Sequence, residues 1–348
     1  MTEHDNIRRE HGYHPLRVSR IIQETPDTRS FVLDVPPDVR DLFAYRPGQF
    51  CTFRVRIDGT ELLRSYSMSS APETDEHLTV TVKRVPDGVV SNWFNDAVAA
   101  NDVLEATKPA GVFCARDGEY PLVAFCGGSG ITPVLSLAKS VLASTQRPVK
   151  LFYANRDRSS VIFDAELRAL AGRHPDRLHV EYHYDAESGF PAAPAVTGFA
   201  MSTLDADFYV CGPGPFMDLV EDSLLALGVA ADRILIERFI DAGQPDDHRA
   251  VAGEVPDTVT IILNGRKTTV KYHPGDTILE TARRGAVYPP FSCEAGNCAT
   301  CMAIMRHGTA TMRENNALTP EEVTEGWVLT CQGLPQGPGE VTVEYETF

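Results

Sequence analysis

Eight cysteines occur in 348 residues, and three of them, Cys293, Cys298 and Cys301, form CxxxxCxxC with Cys331 following further along the chain. At this cysteine content such a triplet arises by chance in about one chain in 240. Four thiolates so spaced suit a 2Fe-2S cluster, with Gly296 relaxing a loop whose amides must come close to it. An all-cysteine zinc site usually shows two CxxC pairs, and here only Cys298 and Cys301 make one. Cys51, Cys114, Cys126 and Cys211 have no ligand spacing, and three of the four read as packing residues.

A second kind of chemistry is written in glycine. The run Cys126-Gly127-Gly128-Ser129-Gly130-Ile131-Thr132-Pro133 follows the apolar segment PLVAF and leads into a helical pattern. Glycines let backbone amides approach a diphosphate, and the helix N-terminus favours its charge. Thr132 is expected to cap that helix, with Pro133 at its first position. Such a turn can also be purely structural. A further strand end, YVCGPGPFMD, puts Cys211, Gly212 and Pro213 where another strand stops, and open α/β sheets bind ligands at such ends.

Upstream, alternation in Arg64-Ser65-Tyr66-Ser67 puts Arg64 and Tyr66 on one strand face. There a guanidinium can pair with phosphate and a ring can stack on a flat heterocycle, while Ser67 offers a hydrogen bond at the strand end. Lys83 and Arg84, then Asp87-Gly88-Val89-Val90-Ser91, read as strand, tight loop and helix start, a second cluster of amides suited to pyrophosphate. An edge strand with solvated basic residues accounts equally well for either motif alone.

These groups need positioning elements. From Leu16 to about Val112, short alternating runs such as RSFVLDV, QFCTFRVRI and HLTVTVKRV separated by turns predict an antiparallel β-barrel. After Tyr120, apolar strands alternate with helices to Phe239, which predicts a parallel α/β sheet. The acidic, Pro- and Gly-containing DAGQPDDHRAVAGEVPD reads as a linker, and VTIILNGRKTTVKY around Asn264-Gly265 opens a small β-rich module with a hairpin. The expected domains are 1–115, 116–240, a linker at 241–256, and 257–348.

Composition narrows the partners. Forty-eight acidic residues against 32 basic ones give a formal charge of -16, a field that repels nucleic-acid backbones and anionic lipid. Neither uncharged stretch, 120–138 or 188–204, is a clean apolar span, and the start MTEHDNIRREHGYH lacks the apolar core of a secretory signal, so a cytoplasmic protein that does not cross a membrane is expected.

RPGQF at 46–50, RSYSMSS at 64–70, GGSGITP at 127–133, CGP at 211–213 and ERF at 237–239, in this order, resemble the ferredoxin-NADP reductase superfamily, and the C-terminal module resembles plant-type ferredoxin, a β-grasp fold. The order of modules is that of reductase components of bacterial multicomponent oxygenases, most like those of 3-ketosteroid 9α-hydroxylase and next those of phenylacetyl-CoA epoxidase. The resemblance implies FAD held by Arg64, Tyr66, Ser67, Lys83, Gly88, Val90 and Ser91. It implies a nicotinamide dinucleotide at Gly128, Gly130, Thr132, Arg156, Gly212 and Pro213. Ser67, Cys211 and Glu237 would stand beside the hydride path, and Phe239 takes the place of a C-terminal tyrosine in the plant enzymes.

The NADPH-type Ser-Arg pair is missing; LHVEYHY runs into Asp185, Ala186, Glu187 and Ser188, whose carboxylates repel a 2'-phosphate, so NADH is expected, although Arg156 and Arg158 argue the other way. The implied function is an NADH-dependent reductase, a monomer, passing electrons from NADH through FAD and the cluster to a separate Rieske oxygenase. No CxH pair marks an oxygen-activating centre in this chain. A redox-sensing flavin and iron-sulfur subunit is the alternative of a different class.

Overall fold

The computed structural model describes residues 12–239, 254–296, 298–315 and 317–345. The expected linker at 241–256 lies, up to residue 253, outside the described residues. The chain divides into two compact units, Pro15–Phe239 and the remainder.

In the first unit the alternating runs form β1 (Tyr13–Thr25, whose first two residues belong to the second unit), β2 (Thr28–Asp34), β3 (Phe50–Ile57), β4 (Thr60–Ser67) and β5 (Leu78–Lys83), then helix α1 (Val89–Asp96) and β6 (Val103–Thr107). The sheet order is β4-β3-β6-β1-β2-β5, and a Met68–Val80 bridge joins its two outermost strands, closing the antiparallel barrel. Inward-pointing Phe31, Phe53 and Met68 fill it, and α1 adds Phe94, whose ring stands edge-on to Phe31, Phe53 and Tyr66. Alternation in and out of one core is what the sequence pattern required.

The parallel sheet follows: β7 (Leu122–Gly127), α2 (Ile131–Ser144), β8 (Val149–Asn155), α3 (Asp164–Arg173), β9 (Leu178–Tyr184), a helical turn α4 (Asp185–Ser188), α5 (Ala193–Ala200), β10 (Asp207–Cys211), α6 (Gly214–Ala226) and β11 (Ile234–Glu237). Its order is β11-β10-β7-β8-β9. Leu122, Ala124 and Cys126 of β7 pack on one face with α2 and α3, while Val123 and Phe125 pack on the other with α5 and α6. A strand buried on both faces reads as an unbroken apolar run, as PLVAF does. Helix α5 was not expected from its Pro- and Gly-rich sequence; burial of Val196, Phe199 and Ala200 against the sheet holds it.

The second unit contains β12 (Thr258–Leu263), β13 (Arg266–Lys271), α7 (Ile278–Arg284), β14 (Met302–His307), β15 (Thr309–Met312), α8 (Pro320–Thr324), β16 (Trp327–Leu329), β17 (Gly333–Gln336) and β18 (Glu340–Glu344). Its main sheet, β13-β12-β18-β14-β16, pairs β12 and β18 in parallel and packs Ile278 and Ala282 of α7 against its core. The β12–β13 hairpin turns on Asn264 and Gly265, both at positive φ, with Leu263 paired to Arg266, the two-residue turn expected. Among the described residues no helix is long and apolar enough to cross a membrane.

Candidate active site

The carboxyl ends of the parallel strands carry the residues whose chemistry the sequence singled out. Strand register aligns Glu237 with Cys211, Cys211 with Cys126, and Cys126 with Tyr153, so one row of side chains crosses the sheet edge. From the barrel, Ser67 at the end of β4 meets this row: its hydroxyl donates to Glu237 Oε2 at 3.5 Å, across 170 positions of sequence. Burial pushes the Glu237 carboxyl up to about 8, Ser67 opposing the shift. Burial likewise drives the Cys211 thiol well up, reinforced by Glu237. The site therefore offers a protonated carboxyl, a neutral thiol and a hydroxyl in contact or in register, a set that can hold and pass a proton but supplies no thiolate nucleophile.

The glycine turn beside this row differs from the expectation in detail. Helix α2 begins at Ile131 with Gly130 as its cap, so Thr132 and Pro133 lie inside the first turn, and the Thr132 hydroxyl donates to Ser129 O at 3.0 Å. A Cβ on Gly130 would stand 2.1 Å from Cys211 O, and one on Gly127 would stand 2.8 Å from Pro213 Cδ. These two glycines, with Gly212 beneath them, let the ends of β7 and β10 touch backbone to backbone. Gly128 is the open one: it has φ +52, and nothing lies within 4 Å of where its Cβ would be. Its carbonyl accepts from Tyr153 OH at 3.1 Å, which fixes the turn. One strand away, the buried Asn155 Oδ1 has no hydrogen-bond partner among the described residues. An orphaned acceptor beside an open amide turn fits a polar dinucleotide.

On the barrel, Arg64 and Tyr66 share a face of β4 as expected, with Tyr66 packed edge-on to Phe94 at 5.1 Å. Most of β4 is only half-covered along its length, which fits a strand that lays a flat ligand on its surface. Gly88 caps α1 and Val90 and Ser91 fill its first turn; Ser91 Oγ accepts from Val85 N at 3.1 Å. Lys83 and Arg156, assigned to two different ligands, are brought together on one carboxylate: Lys83 Nζ lies 3.1 Å and Arg156 3.0 Å from Asp27 Oδ2. Against the cost of burial, hydrogen bonds from Thr25 and Thr28 and the charge of Lys83 hold the Asp27 carboxyl below its ordinary range. Sequence reasoning missed Asp27, which stands 129 positions from Arg156. Phe239 is 41% exposed.

In the second unit all four expected ligands are buried free thiols. They stand as two pairs, Cys298 hydrogen-bonded to Cys293 and Cys301 to Cys331, with Cys331 also within electrostatic reach of Cys293. Two pairs suit a two-iron group with two thiolates on each iron. Gly296 lies at φ +77, and a Cβ there would stand 2.8 Å from Glu314 O, so the loop can close only on glycine. The residues present fit the cluster.

Residues 15–114 match the oxidoreductase FAD-binding domain family, 125–222 the oxidoreductase NAD-binding domain family and 261–336 the 2Fe-2S iron-sulfur cluster binding domain family. The chain is thus an oxidoreductase with FAD-binding, NAD-binding and 2Fe-2S modules. It is 40% identical over 329 residues to the ferredoxin reductase component of 3-ketosteroid-9-alpha-monooxygenase from Rhodococcus rhodochrous, covering 92% of this chain and 93% of that one. Phthalate dioxygenase reductase, a modular structure for electron transfer from pyridine nucleotides to 2Fe-2S, superposes with a TM-score of 0.63 at 25% identity over 97% of this chain and 99% of that one. An intact type IV self-sufficient cytochrome P450 monooxygenase superposes with a TM-score of 0.70 at 21% identity; this chain spans 41% of its length, and the likeness is one of fold. The chain belongs to the family of ferredoxin reductase components of 3-ketosteroid-9-alpha-monooxygenase and related oxygenase reductases.

Proposed function

We propose that this chain is the NADH-dependent reductase of a steroid-hydroxylating oxygenase system, with a flavin barrel at 1–115, a nucleotide module at 116–240, a linker at 241–256 and a ferredoxin module at 257–348, and with the terminal oxygenase a separate protein. The observation that carries it is the convergence of Ser67, Cys211 and Glu237 where the barrel meets the carboxyl ends of the sheet. When bound, flavin and cluster together supply the conversion of one two-electron hydride into two single-electron transfers.

The chain's own residues do the rest. Arg64 would hold the flavin pyrophosphate, with Lys83 and the amides of Gly88, Val90 and Ser91 contributing, and Tyr66 would offer its ring to the flavin's flat surface. Gly128 opens the turn that receives the dinucleotide, with Thr132, Gly130, Gly212 and Pro213 setting its shape. Ser67 and Glu237, in contact with each other, would hold a proton for the flavin, Cys211 would line the site beside them in register, and Phe239 follows Glu237 at the strand end. Cys293, Cys298, Cys301 and Cys331 would hold the irons.

The preference for NADH is supported by the state of the two arginines that could attract a 2'-phosphate. Arg156 is paired with Asp27, and Arg158 is held by Glu187 at 2.8 and 3.2 Å while its guanidinium lies 4.5 Å over the Tyr184 ring. A second phosphate would have to displace carboxylates from both. Reconstitution with candidate terminal oxygenases, following substrate-dependent NADH oxidation, tests the assignment; a steroid 9α-oxygenase is expected to couple, and failure to couple with it while another oxygenase does so overturns the steroid reading. Glu187→Gln frees Arg158 and is expected to raise the NADPH to NADH ratio of kcat/KM by about threefold to tenfold, a change on the scale of one exposed ion pair.

A further inference from the structure

Gln332 directly follows the fourth cysteine and is buried, 7% exposed. Its backbone is fixed at both ends, its amide donating to Leu329 O at 2.9 Å and its carbonyl accepting from Arg313 N at 3.1 Å. The side-chain amide has two protons and two acceptors within reach: Glu294 O at 2.8 Å and Cys331 Sγ at 3.7 Å. Glu294 in turn follows the first cysteine, at the strained φ of +51. Both of its carboxylate oxygens are gripped by Arg283 of α7 at 2.7 and 2.8 Å, and that guanidinium is itself buried and stacked 4.3 Å over Phe291. The Cγ of Gln332 lies 3.3 Å from where a Gly296 Cβ would be, so the ligand loop rests on this side chain. A residue adjacent to one ligand thus bonds that ligand's sulfur and the backbone adjacent to another ligand.

We propose that Gln332 is a positioning residue for the 2Fe-2S cluster that ties the Cys331 segment to the Cys293–Cys298 loop and, by donating an N–H to Cys331 Sγ, raises the cluster's reduction potential, with Arg283 neutralising Glu294 to the same effect. Reduction adds negative charge that spreads onto the sulfurs, so a donor at a sulfur, or a cation cancelling a nearby carboxylate, favours the reduced form. This inference rests on the cluster assignment and goes beyond it.

Iron and acid-labile sulfide content of the wild-type protein decides the cluster assignment first. The midpoint potential of the retained clusters in Gln332→Leu then decides the inference. A shift of about tenfold toward the oxidised form in the one-electron equilibrium, about 59 mV lower, is expected, with altered EPR g values. Arg283→Met should shift it the same way and Arg283→Lys restore most of it. A potential and EPR spectrum equal to wild type on clusters that are present overturn the proposal, whatever fraction of cluster is lost. Should Gln332→Leu retain no cluster, pulsed EPR of wild-type protein labelled with side-chain 15N-glutamine replaces it: a nitrogen coupling to the reduced cluster supports the bond, and its absence overturns it.

Discussion

At the start of β10, Asp207 is buried between two arginines, with Arg147 at 2.9 Å on one carboxylate oxygen and Arg233 at 3.3 Å on the other. At the far end of the same sheet, on the neighbouring strand, Glu237 is half-buried, and the bond it accepts is the long one from the neutral Ser67. Around Asp207 both arginines are tied to further groups: Arg147 also reaches Tyr120 O and Arg116 O, and Arg233 lies 3.7 Å over the Tyr120 ring. A buried carboxylate paired with two cations serves to hold strands and loops in place, whereas a largely covered carboxyl given a hydroxyl in place of a cation has its proton affinity raised toward neutrality. The amino end of β10 thus carries a charge paired with cations, and the carboxyl end of β11 a carboxyl whose partner is neutral.

The largest expected effect breaks the first half of that contrast. Arg147→Met leaves Asp207 buried with one arginine on one side, and about 3–5 kcal/mol should be lost in urea denaturation of the holoprotein. Arg147→Met combined with Asp207→Leu should recover most of it, because the cost lies in the orphaned charge. Glu237→Gln breaks the other half. Stability at pH 7 should hold or rise, while the rate of flavin reduction by NADH in stopped flow falls by about a hundredfold, the scale of a lost proton-handling group. A Gln variant with wild-type rates would remove Glu237 from the reaction.

The pH dependence of stability separates the two ends again. Glu237 has its folded pKa raised from 4.5 to about 8, so across that window the native state binds more protons than the unfolded one. Its contribution to stability is therefore fully present below about 4.5 and is lost as pH climbs toward 8, by at most about 1.4 kcal/mol per unit. Subtracting the Glu237→Gln curve from wild type should leave a falling line over this window.

The sequence made some of this legible and not the rest, for a physical reason. Four thiolates on a small cluster need fixed local spacing, a two-residue hairpin needs residues tolerant of positive φ, and a doubly covered strand needs an unbroken apolar run, so Cys293 to Cys301, Asn264-Gly265 and PLVAF could be read directly. Strand alternation placed Arg64 with Tyr66, and the succession of strands placed Cys211 beside the Gly127 turn. Contacts made by folding across long separations left no local trace: Asp27 with Arg156, Ser67 with Glu237 and Gln332 with Glu294. The close approach of the strand ends requires Gly127 and Gly130, a reason the local sequence does not show, and Gly128 faces open space. Gln332 carried a signal that could have been used, a buried-prone position next to a ligand filled by an amide with two donors.

Ser67→Ala gives the smallest effect and the sharpest test of how the carboxyl end is tuned. The bond it removes is 3.5 Å long, at the limit of a hydrogen bond, so less than about 1 kcal/mol of stability should go with it. Its influence on Glu237 has a definite sign, because the hydroxyl donates to the carboxyl and opposes the effect of burial. Without it the carboxyl should bind its proton more tightly, and the upper limb of the pH–rate profile for flavin reduction should move to higher pH while the rate at its plateau changes little. A shift to lower pH would mean that some other group sets the Glu237 proton affinity, and the two ends of the sheet would then differ in charge pairing alone.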